Sequence, residues 1–203
     1  MRLAPWWALL SSGSAPLLLV GGWATAEVLQ GPGYNPVTQT ISILAAYGAP
    51  GYWVMNAMLV TLGTCYLATA RGLKAARLPG RLALAGGGVS AIALTIFPAP
   101  VRGGNFPHGT VVTIGFALMA AWPVLAAHRS RTGPWALQFP ASIVASALMV
   151  LGAGWFLFEL QSGGAAGVAE RVLTAAQALW PLLVVTSCLH YPVRERSESR
   201  ETA

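Results

Sequence analysis

Six long apolar stretches divide the chain, and short polar or glycine- and proline-rich connections separate them. Each stretch is close to the ~20 residues that a helix needs to cross ~30 Å of hydrocarbon. Because a backbone in lipid must satisfy its own hydrogen bonds, these stretches are predicted to be helices. They cover Ala8–Ala26, Gly51–Ala70, Leu82–Phe97, Thr110–Ala127, Phe139–Phe158 and Val172–Leu189.

The positions of Lys and Arg predict how these helices are oriented. Ten of the twelve basic residues precede the first stretch or follow the second, fourth and sixth; Arg102 and Arg171 lie on the other side. Basic loops stay preferentially in the cytoplasm. The predicted fold is therefore all-α: an integral membrane bundle of six transmembrane helices with both termini cytoplasmic.

Composition supports a membrane protein, with membrane lipid as the expected partner. The chain is 55% hydrophobic and 9% charged, whereas soluble domains carry about 25% charged residues. The net charge of +6 follows from the basic turns, and no basic face interleaved with aromatics indicates nucleic acid. We expect one transmembrane domain over residues 1–193 and a disordered cytoplasmic tail over residues 194–203.

The first stretch has a second interpretation. Ala24-Thr25-Ala26 resembles a signal-peptidase site, and cleavage there would leave five spans. The length of the stretch and Pro16 inside it favour a retained helix, but the sequence leaves both possibilities open.

The three glutamates outside the tail gather at the predicted outer side, together with the two arginines predicted there. Glu27 ends the first stretch, Glu159 follows the fifth, and Glu170 precedes the sixth; Arg102 and Arg171 lie at the same level. Charged groups at this depth usually face a bundle interior or a wet cavity. They predict an outward-facing polar pocket, or alternatively ion pairs between helix ends without a ligand.

The first outer loop is predicted to contain a short amphipathic helix. Asn35 followed by Pro36 is typical of a helix start, and Val37, Ile41 and Leu44 then share one face. This helix could cover the polar cluster as a lid, or simply plug the end of the bundle.

The candidate ligand-binding residues share this outer level or extend inward from it along the last helix. They are Gln39, Ser42, Arg102, Asn105, His108, Glu170, Arg171 and Gln177. Arg102 and Arg171 could hold an anionic head group, and an interhelical hydrogen bond is the alternative role for Gln177.

Catalysis, if any, would centre on His108 with Glu159 or Glu170, since an imidazole near neutral pKa can transfer protons. A helix cap is the simpler role for His108. No metal site or cofactor is expected, because the two cysteines lie in apolar stretches without metal-ligand spacing. Gly86-Gly87-Gly88, and Gly152 with Gly154, predict close helix packing.

Several short motifs resemble the DUF998 family of bacterial membrane proteins of unknown function. They are the loop Gly33–Ser42, Gly48–Gly51, Phe97-Pro98, His108-Gly109, Glu170-Arg171 and Leu179–Pro181. The resemblance implies a multi-span protein of the bacterial plasma membrane. The leading functional hypothesis is binding of a lipid or other amphipathic molecule; the alternatives are an outer-leaflet enzyme and a small transporter or permease component.

Overall fold

The computed structural model describes residues 3–100, 105–129 and 133–191. Within these ranges the chain forms seven α-helices and one 3-10 turn, Trp135–Leu137, and contains no β-strand. The all-α prediction is therefore confirmed for the described residues. The helices are α1 Trp6–Gln30, α2 Ile41–Leu44, α3 Tyr52–Gly72, α4 Leu78–Ala93, α5 Phe106–Ala126, α6 Phe139–Ser162 and α7 Ala166–Leu189.

Every predicted apolar stretch corresponds to one long helix. Five of these helices, α1, α3, α5, α6 and α7, are long and apolar enough to cross a membrane. The exception is α4, whose 16 residues reach only about 24 Å at ~1.5 Å per residue. It starts earlier than predicted, with Pro79 in its first turn, and ends at Ala93, four residues before the predicted Phe97.

The six long helices form a closed ring. Each packs mainly against its neighbours in the chain, and α1 packs against α7 to complete the circle. We call the end that carries residues 31–51 the loop end, and the opposite end, with Arg71, Lys74 and Arg77, the basic end. Large apolar side chains cover the outside of the ring, most densely on α6.

Glycines bring α3 and α4 into backbone contact. A β-carbon on Gly63 would lie 2.5 Å from the Gly88 carbonyl oxygen, and one on Gly88 would lie 2.7 Å from the Gly63 carbonyl oxygen. The predicted close packing is thus found at Gly88, and at Gly86 and Gly87, which face α5 side chains. It is absent at Gly154, where a β-carbon would meet open space.

The helix in the first loop is shorter than predicted. Residues 35–39 form a hydrogen-bonded turn, in which Asn35 Oδ1 accepts from the Val37 amide at 2.9 Å. Helix α2 begins only at Ile41, after extended backbone at Thr40. The predicted face is split accordingly: Ile41 and Leu44 are buried, whereas Val37 is 48% exposed.

Candidate functional site

A cavity lies inside the helix ring. It encloses about 860 Å³ of space free of protein atoms, a volume that includes its opening. Its walls come mainly from α3, α4, α5 and α7, with contributions from α1 and the α2 segment, and α6 contributes none of them. Most of the lining is aliphatic, aromatic or methionine, including Met55, Met58, Leu59, Leu62, Val112 and Met119.

The polar lining residues lie mostly toward the loop end. Ser42 comes from the α2 segment, His108 from the first turn of α5, and Glu170, Thr174 and Gln177 from the first half of α7. Seven residues separate Glu170 from Gln177, which is about 10 Å along a helix. The cavity therefore combines a polar end with apolar walls.

Glu170 joins the loop to α7 inside the cavity. The side chain is 4% exposed; one carboxyl oxygen accepts from the Ile41 amide and the other from the Ser42 hydroxyl at 3.1 Å. Two predicted site residues, Ser42 and Glu170, are thus brought together from positions far apart in the chain.

Arg171 does not line the cavity. It bonds to the same loop from the side that faces away from the cavity. Its guanidinium pairs with Glu27 and lies over the rings of Trp23 and Tyr34, at 5.7 and 5.8 Å. It also donates to the Tyr34 hydroxyl at 2.8 Å and to the carbonyl oxygens of Pro36 at 3.0 Å and Gly167 at 2.9 Å. The planar guanidinium suits such a set of acceptors. These contacts occupy the guanidinium of Arg171, one of the two arginines that the sequence suggested for an anionic ligand.

Tyr34 is a structural residue that the sequence reasoning did not single out. Its hydroxyl lies 3.0 Å from the carbonyl oxygens of both Gln39 and Thr40. Burial raises the pKa of Tyr34, so the hydroxyl keeps the proton that it shares with these carbonyls. The sequence did offer an indication of this role, because Tyr34 is an aromatic residue in a loop otherwise rich in glycine and proline.

The predicted residue Gln39 is part of this anchoring and lies outside the cavity lining. Its side-chain oxygen accepts from the Asn35 amide at 2.8 Å. Gly167 allows the loop to approach α7, because a β-carbon there would lie 2.2 Å from the Gln39 carbonyl oxygen.

Glu159 lies away from the cavity lining. Its carboxylate accepts from the Ala165 amide at 2.6 Å and the Trp155 indole at 3.0 Å. Together with Gly163, which has a φ of 69°, it closes the turn between α6 and α7. Of the two predicted acid partners for His108, only Glu170 shares its cavity.

His108 lines the cavity from the first turn of α5. Its Nδ1 lies 2.8 Å from the Phe97 carbonyl oxygen, and Asn105 Oδ1 caps the helix by accepting from the His108 amide at 3.4 Å. In the described part of the chain the Glu170 carboxyl bonds to the α2 segment rather than to His108.

Gln177 is 4% exposed and also lines the cavity. Its amide nitrogen donates to the Phe116 carbonyl oxygen at 3.4 Å, which connects α7 with α5. Gln177 therefore both forms an interhelical hydrogen bond and lines the cavity.

The sequence reasoning also missed most of the apolar wall, including the three methionines and Tyr66. An evenly apolar helix gives no indication of which face points inward. Arg102 and the tail 194–203 lie outside the described residues. Across residues 3–100, 105–129 and 133–191, no three His, Cys, Asp or Glu side chains are grouped as metal ligands would be.

The comparisons with known proteins identify the family. The profile of DUF998, described as a protein of unknown function, matches residues 14–187. Neither the curated proteins nor the solved structures give a significant match. Since the match covers most of the chain and agrees with the motifs noted above, the protein belongs to the DUF998 family.

Proposed function

We propose that this protein crosses the bacterial plasma membrane six times and binds a lipid or another amphipathic molecule in its cavity. The observation that carries the proposal is the pairing of a polar end, at Ser42, His108, Glu170 and Gln177, with apolar walls. Small-molecule sites are typically concave, mostly apolar and equipped with a few polar groups. Methionines add adaptable walls, which suits a flexible acyl chain.

The ring supports six crossings even though α4 is short. Helix α4 lies between α3 and α5 in the ring and packs against both. The chain leaves α3 at the basic end and enters α5 at the loop end, which supports α4 as the span between them. Residues 94–97 continue past α4 as turns, and local bilayer thinning can accommodate a short span at modest cost.

The loop end is proposed to face the outside of the cell. It carries Glu27, Glu159, Glu170 and Arg171, whereas the exposed Arg71, Lys74 and Arg77 lie at the basic end. This distribution follows the positive-inside rule. Ile41, Ser42 and Ala45 line the cavity, so the loop would act as a lid over the polar end.

A matched pair of tryptophan substitutions tests ligand binding. Val112 lines the cavity, whereas Val144 is 57% exposed on α6. Val112→Trp should fill the cavity and reduce the lipid that copurifies with the protein, because the indole occupies the ligand's space. Val144→Trp should retain wild-type lipid, since it would face the bilayer.

Lipid extraction followed by mass spectrometry of the two purified variants gives the readout. Gel filtration and thermal unfolding in the same detergent verify that both are folded. Equal lipid retention by two folded variants would show that the cavity is not the binding site.

An outer-leaflet enzyme is the second candidate, because His108 and Glu170 line one cavity. Both groups already bond to the protein, His108 to Phe97 and Glu170 to the α2 segment, which favours binding over catalysis. A transporter receives less support, since the lining toward the basic end is mainly apolar.

A further inference from the structure

We propose that the cavity selects an amphiphile whose head group donates hydrogen bonds and carries no negative charge, as an alcohol or amine head does. This inference rests on the proposed binding function and specifies the ligand's chemistry. It departs from the expectation, based on the sequence, that arginines hold an anionic head.

The first observation is the tautomer of His108. Its Nδ1 lies 2.8 Å from the Phe97 carbonyl oxygen, and a carbonyl oxygen can only accept. Nδ1 therefore carries a proton, and in the ring form that carries only this proton Nε2 is an acceptor. His108 thus offers a hydrogen-bond acceptor to a cavity occupant.

The second observation is the amide of Gln177. Its nitrogen donates to the Phe116 carbonyl oxygen at 3.4 Å, which assigns the other atom of the amide as the oxygen. No hydrogen bond to that oxygen is found among the described residues, and it is not one of the fully buried unpaired atoms. Since Gln177 lines the cavity, its oxygen can accept a hydrogen bond from a ligand donor there.

The remaining polar groups at this end also accept. Each Glu170 oxygen takes one bond from the loop and keeps a lone pair for a further donor. The Ser42 hydroxyl gives its proton to Glu170 at 3.1 Å, and the Thr174 hydroxyl gives its proton to the backbone at 2.8 Å. Both hydroxyls retain lone pairs for a ligand donor.

Among the described residues, these acceptors have no lysine or arginine beside them in the cavity lining. None of the described residues that line the cavity is Lys or Arg, and Arg171 is paired with Glu27 outside it. The hydroxyls of Ser90 and Tyr66 also line the cavity; they can donate or accept but carry no charge. A phosphate or carboxylate head would lie beside Glu170 without a counter-charge, which is unfavourable in a buried site.

Four saturated probes of sixteen carbon atoms each test the head-group preference on the full protein in detergent. They are 1-hexadecanol, hexadecylamine, hexadecanoic acid and hexadecyl phosphate, each titrated separately and counted on the protein by native mass spectrometry. The alcohol and the amine should bind at least about tenfold more tightly than the two anions, a difference of ~1.4 kcal/mol.

Anions that bind as tightly as the alcohol would overturn the inference while leaving the cavity-binding proposal intact. Failure of all four probes to bind would reject the proposed function itself, and the head-group inference with it.

Gln177→Leu tests the acceptor directly, with Gln161→Leu on the exposed part of α6 as its control. Losing one hydrogen bond should weaken hexadecanol binding by about three- to tenfold in Gln177→Leu only. His108→Phe, with the exposed His190→Phe as control, repeats the test if the first variant fails to fold. Wild-type hexadecanol affinity in a folded cavity variant would refute the assigned role of that acceptor.

Discussion

Glu170 and Arg171 are adjacent in the chain but have different structural roles. Successive residues on an α-helix point about 100° apart, because a turn contains ~3.6 residues. Glu170 therefore lines the cavity, while Arg171 faces Glu27 and the loop. The sequence placed both at the same end of the bundle, but that position alone does not tell which one lines the cavity.

Arg171 is expected to stabilise the loop rather than contact the ligand. Arg171→Met should lower the free energy of unfolding by about 1.5–3 kcal/mol, the range for hydrogen bonds to charged groups, because Glu27 and the loop carbonyls lose their donor. Protease cleavage within residues 31–51 should also become faster. Thermal unfolding and limited proteolysis in detergent provide the measurements.

Lys74→Met, at an exposed cation of the basic end, is the control and should leave both readouts unchanged. An Arg171→Met protein with wild-type stability and protease resistance would contradict the anchoring role.

At the scale of the elements, glycine has opposite consequences in different helices. Gly63 and Gly88 allow the backbones of α3 and α4 to touch, as small residues do in membrane helix pairs. Gly154, on the exposed side of α6, has open space where a side chain would be. The sequence alone marked Gly154 as a packing residue, because spacing does not reveal which face meets a neighbour.

Gly63→Ala and Gly154→Ala should therefore change stability in opposite directions. At Gly63 the new methyl group meets a backbone oxygen and forces α3 and α4 apart, at a cost of ~1–3 kcal/mol. At Gly154 the substitution should be neutral or stabilising by up to ~1 kcal/mol, because alanine favours the helix. Thermal unfolding of both variants under one condition compares the signs; a Gly63→Ala protein as stable as Gly154→Ala would refute the close packing.

At the scale of the whole molecule, the closed ring of helices determines the cavity. Contact between α1 and α7 closes the ring and brings Glu27 to Arg171, 144 positions apart in the chain. The proposed six crossings would put the loop end and the basic end on opposite sides of the membrane. The cavity follows from this closure, since its lining comes from helices all along the chain.

Cysteine labelling tests this topology. With Cys65 and Cys188 replaced by alanine, Thr38→Cys in the exposed outer loop should react with a membrane-impermeant maleimide in intact cells. Lys74→Cys at the basic end should react only after lysis, because the reagent cannot cross the membrane. Labelling of Lys74→Cys in intact cells would reverse the orientation; labelling of both sites would exclude the six-span arrangement.

The sequence by itself determined the positions of the long helices, the membrane class and the level at which the polar groups gather. These properties depend on local hydropathy and length, because a lipid-embedded backbone has few alternatives to a helix. The tertiary structure decided which polar groups face the cavity and that residues 35–40 are not helical. It also decided that Arg171 bonds to Glu27 and the loop. These outcomes depend on the rotation of each helix about its axis and on bonds such as Ile41 to Glu170, 129 positions apart, which no local pattern encodes.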